Sequence, residues 1–208
     1  MEHVLTILLG TGFYLAGSVP TAYIVVRWVR GLDIRRVGSK NVGTLNTCHQ
    51  AGFLWAALVL VVDTSKGALA VLLPGWLGAP GWTVYVTAIL VVVGHNWPVF
   101  LGFRGGKGLA ATLGISLVLM PQPTLIALLP TILLVALTRN VIIGVGVGII
   151  IVIALAVGNS QEVDRITLCV ALTFLVIGTY VVATRERMGA AIRTRQFRGI
   201  FYGTNLNP

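Results

Sequence analysis

The chain has 208 residues, 56% of them hydrophobic and only 10% charged, with a mean hydropathy of +0.92. A soluble domain of this length does not carry so much apolar side chain, so the composition is that of an integral membrane protein. The formal net charge of +9 does not indicate nucleic acid, because basic and aromatic residues do not interleave into a stacking surface; anionic headgroups or a phosphorylated substrate account for it better.

Apolar runs fall at about 4 to 26, 53 to 73, 82 to 100, 109 to 120, 123 to 138, 141 to 158 and 166 to 183. The first lacks a basic leader and a small-residue cleavage site, and reads as a retained helix. The fourth and fifth are separated only by Pro121-Gln122-Pro123. At ~12 to 16 residues and 1.5 Å each they fall short of a ~30 Å core, so they are short helices, a broken hairpin or partly re-entrant segments. Pro130 allows a kink in the fifth. The expected fold class is an all-α integral membrane protein, one domain over residues 1–208, with seven transmembrane helices of which two are short.

With seven spans, the loops at 27–52, 101–108 and 139–140 and the tail from 185 share one side, and that side holds 13 of the 15 basic residues. The positive-inside rule then puts the N-terminus outside and the C-terminus in the cytoplasm. An even number of spans scatters these loops over both faces. The expected site face is therefore cytoplasmic, formed by loops 27–52 and 101–108 and the tail 185–208.

In chain order, the first polar stretch is GLDIRRVGSKNVGTLNTCHQAG, from Gly31 to Gly52. Ser39, Asn41 and Asn46 supply hydrogen-bonding side chains, Gly38 and Gly43 let backbone approach a ligand, and Arg35 and Arg36 can neutralise phosphate. The plainer alternative is a basic loop held by headgroups, and Arg27, Arg30 and Arg36 fit that role. Next, Asp63 and Lys66 stand three apart within DTSKG, on one face of a membrane helix, where they can pair and brace or line a site. His95, followed by Asn96 at the end of the third span, is a candidate general base or a loop anchor. Then GHNWPVFLGFRGGKGLAAT, Gly94 to Thr112, carries Gly105, Gly106, Lys107 and Gly108 into the start of a helix. Glycine backbone, helix-start N–H groups and a lysine suit an anion, most naturally a phosphate. The alternative is a plain helix junction whose lysine sits among headgroups.

His3, His49 and His95 are scattered with no acidic pair beside them, and Cys48 and Cys169 fall in a polar loop and an apolar run. No metal, cofactor or disulfide is expected from them.

Taken together, Gly17-Ser18-Val19-Pro20, DIRRVGSKNVGTLN at 33–46, DTSKG at 63–67 and the Gly94–Thr112 stretch resemble, in order and spacing, the bacterial acyl-phosphate-dependent glycerol-3-phosphate acyltransferase family. The likeness is strong over residues 10–112 and rests on hydropathy beyond. The resemblance implies an enzyme of the bacterial cytoplasmic membrane, multi-pass, with its active site facing the cytoplasm. It would move a fatty acyl group from acyl phosphate to the 1-hydroxyl of glycerol 3-phosphate, giving lysophosphatidic acid, without using acyl-CoA or acyl carrier protein directly. Membrane lipids are the other expected partner. The resemblance and the residues' own chemistry together give the candidate roles. Lys107, His95 and Asn46 are the catalytic candidates. Arg35, Ser39, Asn41, Gly43, His49, Lys66, Gly105, Gly106, Gly108, Arg193 and Gln196 are the substrate-binding candidates.

The sequence departs from the family pattern at several points. His49 stands where the family has arginine, Thr44-Leu45 where it shows Ala-Thr, and Ile142 where it has serine. In the tail, the family's histidine, asparagine and glutamate align with Arg193, Gln196 and Asn205. These positions cluster, in the family, on the glycerol 3-phosphate side. Either Arg193 and Gln196 still grip that acceptor, or the chain is a divergent paralogue with another acceptor. A transporter or lipid-binding scaffold is the reading from another class. Gly144, Gly146 and Gly148 would then serve close helix packing and Asp63 and Lys66 an ion path, but no internal repeat supports it.

Overall fold

In the computed structural model, backbone is described for residues 2–159 and 162–194 and side chains as far as residue 182. Among the described residues the order is α1 (Glu2–Ser18), α2 (Thr21–Arg30), α3 (Thr44–Ala51), α4 (Phe53–Trp76), α5 (Thr83–Asn96), a 3-10 turn (Val99–Leu101), α6 (Leu109–Leu119), α7 (Pro121–Thr138), α8 (Val141–Gly158) and α9 (Val163–Thr194). The described residues form helices and the turns between them, with no strand among them. The chain divides into two compact units, Met1–Leu119 and Met120–Pro208.

Among the described residues six helical segments are long and apolar enough to cross a membrane: 2–30, 53–76, 83–101, 121–138, 141–158 and 163–182. The fourth apolar run is α6, only 11 residues, so its ~16 Å length does not span a hydrocarbon core alone. The first span is broken. Pro20 lacks an amide hydrogen and restricts Val19, so α1 stops at Ser18 and α2 restarts at Thr21. Two expected loops contain helix. α3 forms inside the 27–52 stretch, and α9 runs on to Thr194 through a segment with three Ala and three Arg, both good helix formers.

In the first unit, α5 packs on α1 and α4, and α4 on α6. The crossings are set by reciprocal glycines. A Cβ on Gly17 would strike the Val91 carbonyl, and one on Gly94 the Tyr14 carbonyl; likewise Gly67 faces the Ala111 carbonyl and Gly114 the Thr64 carbonyl. In a membrane, where burial gives no hydrophobic gain, such close backbone approach supplies the packing. Hydroxyls add to it: Thr6 and Thr83 share a hydrogen bond of 2.8 Å, and Thr87 donates to the Ala70 carbonyl at 2.6 Å.

Beneath the polar loops lies a small apolar core of Ala22, Val25, Val26, Ile34, Val42, Ala51, Val59 and Leu101. It pins the 31–43 loop through Ile34 and Val42, which are 0% and 4% exposed. In the second unit α7 packs on α8, where Gly144 and Gly148 meet Thr131 and Val135, whereas Gly146 faces open space. Two of the three glycines read as packing residues therefore pack.

Candidate active site

Asn46 organises the first loop. It is 1% exposed, its amide nitrogen donates to the carbonyls of Ile34 (3.2 Å), Val37 (3.1 Å) and Asn41 (3.0 Å), and its oxygen accepts from the Ser39 amide (3.3 Å). Both ends of the amide are thus engaged inside the loop. Gly38 sits against Asn46 Oδ1 and Gln50 Nε2 with φ +56°, so both space and backbone conformation require glycine there. This arrangement leaves Ser39 exposed and Asn41 half-buried at the loop surface, with Gly43 opening α3 in extended backbone and His49 exposed on α3.

Arg35 is also engaged within the fold. Its guanidinium holds both oxygens of Asp33 (Nε to Oδ1 3.0 Å, NH2 to Oδ2 2.8 Å), reaches the Leu101 carbonyl from NH1 (3.3 Å) and lies 5.2 Å from the Tyr23 ring centre. The side-chain hydrogen bond from Arg35 keeps the Asp33 carboxyl below its usual range, and the same bond raises Arg35. The Arg35–Leu101 bond ties the first loop to the turn before Gly-Gly-Lys-Gly. Arg27 and Arg30 donate to the Gly31 and Gln50 carbonyls, at 2.6 and 3.1 Å.

The second loop is held from below by α5. Gly105 N–H donates to the Asn96 carbonyl (3.2 Å) and Gly106 N–H to the His95 carbonyl (3.0 Å). These two amides, expected to turn toward an anion, instead close the C-terminal end of α5. Gly106 has no room for a side chain, since a Cβ would strike His95 Nε2 and approach the Val42 carbonyl. That contact brings the two loops together. Lys107 is half-buried and Gly108 buried, with φ +75°, just before α6.

Below them lies a buried charged cluster. Asp63 is 1% exposed. Its Oδ1 accepts from Lys66 Nζ (2.8 Å) and Thr21 Oγ1 (2.9 Å), and its Oδ2 stands 3.9 Å from His95 Nδ1. Lys66 Nζ also contacts Thr21 Oγ1 and donates to the Val19 carbonyl, each at 2.7 Å, across the break between α1 and α2. The pair inferred from the i, i+3 spacing forms as expected. The sequence reading missed Thr21; its only signal was a hydroxyl directly after the helix-breaking Pro20.

A small pocket opens among these parts, lined by Thr21, Val42, Asp63, His95, Gly105 and Gly106 together with Gly17, Val19, Pro20, Ala22 and Pro98. Among the described residues no three His, Cys, Asp or Glu side chains gather as a metal site would need. Of the tail candidates, the side chain of Arg193 and all of Gln196 and Asn205 lie outside the described residues.

Fold and site define a multi-pass helical membrane protein with a glycine-lysine loop packed over buried charge. A family model described as glycerol-3-phosphate acyltransferase matches residues 7–190, and the chain belongs to that family. It is 51% identical over 128 residues to glycerol-3-phosphate acyltransferase 4 of Dehalococcoides mccartyi (strain CBDB1), a match covering 62% of this chain and 55% of that protein. The chain thus spans about half the length of that curated relative. With glycerol-3-phosphate acyltransferase 1 of Dehalococcoides mccartyi (strain ATCC BAA-2266 / KCTC 15142 / 195) it shares 37% identity over 183 residues, 84% of this chain and 87% of that one. Among solved structures it is similar to PlsY (YgiH), an integral membrane glycerol 3-phosphate acyltransferase, in its glycerol 3-phosphate form. There the TM-score is 0.78 and the identity 27%, over 93% of this chain and 94% of that one.

Proposed function

We propose that this chain transfers a fatty acyl group from acyl phosphate to the 1-hydroxyl of glycerol 3-phosphate, releasing inorganic phosphate and lysophosphatidic acid. The observation that carries this reading is the meeting of the 33–46 loop with Gly-Gly-Lys-Gly at the Val42–Gly106 contact, over a cavity walled by His95 and Asp63. Family membership and the likeness to a protein described in a glycerol 3-phosphate form support it.

An acyl phosphate is a mixed anhydride with a good leaving group, so the protein need not supply a covalent nucleophile. Positioning two anions and stabilising the developing oxyanion suffice. Ser39, Asn41 and Gly43 present the exposed edge of the first loop to the acyl phosphate. Gly105, Gly106 and Gly108 shape the second loop, and Lys107 balances phosphate charge. Asn46 and Arg35 act through the loop they hold, and Lys66 through Asp63 and the helix break. The acceptor's proton passes to a substrate phosphate or to solvent, with His95 the protein candidate for it. His49, Arg193 and Gln196 stand at sequence positions that the family pattern ties to the acceptor.

In this reading the chain is one membrane domain of seven crossings, α6 supplying the short one, with the N-terminus outside. The basic loops and tail face the cytoplasm of a bacterial cell, where soluble glycerol 3-phosphate is available, and the acyl tail lies in the surrounding lipid. The substitutions at His49, Arg193, Gln196 and Asn205 favour a second reading, a changed acceptor with the same donor.

Purified protein in lipid, given palmitoyl phosphate and glycerol 3-phosphate, is expected to form lysophosphatidic acid. Lys107→Ala is expected to lower kcat roughly 100-fold or more, the loss of one preorganised charge. Hydrolysis of palmitoyl phosphate without lysophosphatidic acid supports the second reading. Full activity of Lys107→Ala contradicts the phosphate-loop assignment.

A further inference from the structure

The turn that leads from α5 into Gly-Gly-Lys-Gly has a polar inner side and an apolar outer side. On the inner side its backbone is held at several points. The Tyr14 hydroxyl donates to the Trp97 carbonyl at 3.1 Å, Arg35 NH1 donates to the Leu101 carbonyl at 3.3 Å, and the Leu101 side chain is buried in the small apolar core. The Pro98 carbonyl accepts from the N–H groups of Leu101 and Phe103, at 3.1 and 2.9 Å, which closes the turn.

On the outer side Val99, Phe100 and Phe103 are 42%, 60% and 58% exposed. Phe103 has φ +61° and follows Gly102 at φ +59°. A residue with a Cβ rarely takes that backbone, least of all a bulky one. The hydrogen bond to Pro98 keeps Phe103 there, and the ring so held stands largely outside the fold. What covers it follows from its place in the chain. Phe100 lies in the last turn of the 83–101 segment, which is long and apolar enough to span a membrane, and Phe103 follows just past its end. That is the level at which aromatic side chains gather at a bilayer surface. Arg104 comes next and is exposed, as are Arg36 and Lys40 of the first loop, which the Arg35–Leu101 bond joins to this turn. The apolar edge is thus flanked by positive charge, the complement of lipid phosphates.

We propose that the 97–104 turn is a docking surface for the phospholipid leaflet on its side of the membrane. Phe100 and Phe103 enter the acyl-chain region and Arg104 meets the headgroup phosphates. The docked turn brings the lipid surface to the edge of Gly-Gly-Lys-Gly, so that an amphiphilic anion resting in the leaflet reaches Lys107, four residues after Phe103, without crossing water. This last part rests on the acyl-transfer reading above, with the acyl phosphate as that amphiphile.

The test uses the full chain in vesicles of phosphatidylethanolamine and phosphatidylglycerol. In a variant lacking Cys48 and Cys169, spin labels are attached at Phe100→Cys, Phe103→Cys and Arg36→Cys, one at a time. Labels at 100 and 103 are expected to collide more with oxygen, which concentrates in the bilayer, and the label at 36 more with a water-soluble nickel complex. In palmitoyl transfer, the double variant Phe100→Ser/Phe103→Ser is expected to raise KM for palmitoyl phosphate roughly tenfold, the weight of about one phenyl ring removed from lipid. KM for glycerol 3-phosphate is expected to hold. Phe100→Leu/Phe103→Leu is expected to keep the wild-type KM, because fluid lipid accepts any apolar shape whereas a fitted protein pocket does not. Phe103→Gly suits the backbone better than phenylalanine, so a raised KM in that variant is not a folding defect. Labels at 100 and 103 as open to nickel as that at 36, labels shielded from both reagents by residues 183–208 or by a second copy, an unchanged KM in the serine variant, or equal losses with leucine and serine each overturn the proposal. A wild type without transfer activity whose labels at 100 and 103 still favour oxygen refutes the acyl-transfer reading and leaves the lipid-docking surface standing.

Discussion

Asp33 and Arg35 show how one residue pair turns local chemistry into a fixed loop. The forked hydrogen bonds between them, and the reach of Arg35 to the Leu101 carbonyl, hold two segments 66 residues apart. Because that hydrogen bonding lowers the Asp33 carboxyl in the folded protein, its contribution is fully present above the unfolded value near 4 and is lost as pH falls through the lower folded value. Amide exchange in residues 33–43 is therefore expected to stay slow from pH 8 down to about 5 and to rise below about 4. In Asp33→Asn it is expected to be fast throughout; equal protection in that variant contradicts the clamp. The sequence made these residue types visible, yet it suggested phosphate contacts for Arg35 and a catalytic place for Asn46. Side-chain partners follow from how the loop folds back on itself, and spacing alone does not reveal that Asn46 faces inward to three carbonyls.

At the scale of elements, the helices were legible because apolar runs and proline breaks act locally. The start of α7 at Pro121 follows from proline's fixed φ; the Pro20 break has the same kind of cause but was not anticipated, since residues 4 to 26 read as one run. Helix inside a polar stretch was not legible. α3 has few apolar residues and is stabilised by packing on α4 and α2, a tertiary effect. The crossings are equally tertiary, since a glycine in an apolar run does not announce its partner. Gly114→Val is expected to push α6 from α4, because the added atoms meet the Thr64 carbonyl, a backbone group that cannot rotate away. The expected cost is about 1–3 kcal/mol, read as a lower midpoint of thermal unfolding in micelles. Gly146→Val, where open space surrounds the residue, is expected to change the midpoint far less. Equal effects would remove the argument that backbone crossings set the packing.

For the whole molecule, charge asymmetry carries the topology. Among the described residues six segments are long and apolar enough to span, and the proposed seventh crossing rests on the 11-residue α6. Two spans, 53–76 and 83–101, separate the basic stretch at 27–52 from the loop at 101–108, so these two share one side whether or not α6 crosses, and the Arg35–Leu101 bond joins them there. Single cysteines introduced at Arg36 and Arg104, in a variant lacking Cys48 and Cys169, are both expected to label only from the cytoplasmic side of intact cells. A cysteine at His3 is expected to label from outside. Labelling of positions 3 and 36 from the same side contradicts the orientation.

The central claim, that these loops and this cavity process an acyl phosphate, is tested most directly by donor choice. Purified protein in lipid is to be given glycerol 3-phosphate with either palmitoyl phosphate or palmitoyl-CoA, and lysophosphatidic acid measured. The account predicts product from palmitoyl phosphate alone, with one inorganic phosphate released per acyl chain transferred. Product from palmitoyl-CoA at a comparable rate, or none from palmitoyl phosphate with any acceptor, would contradict it.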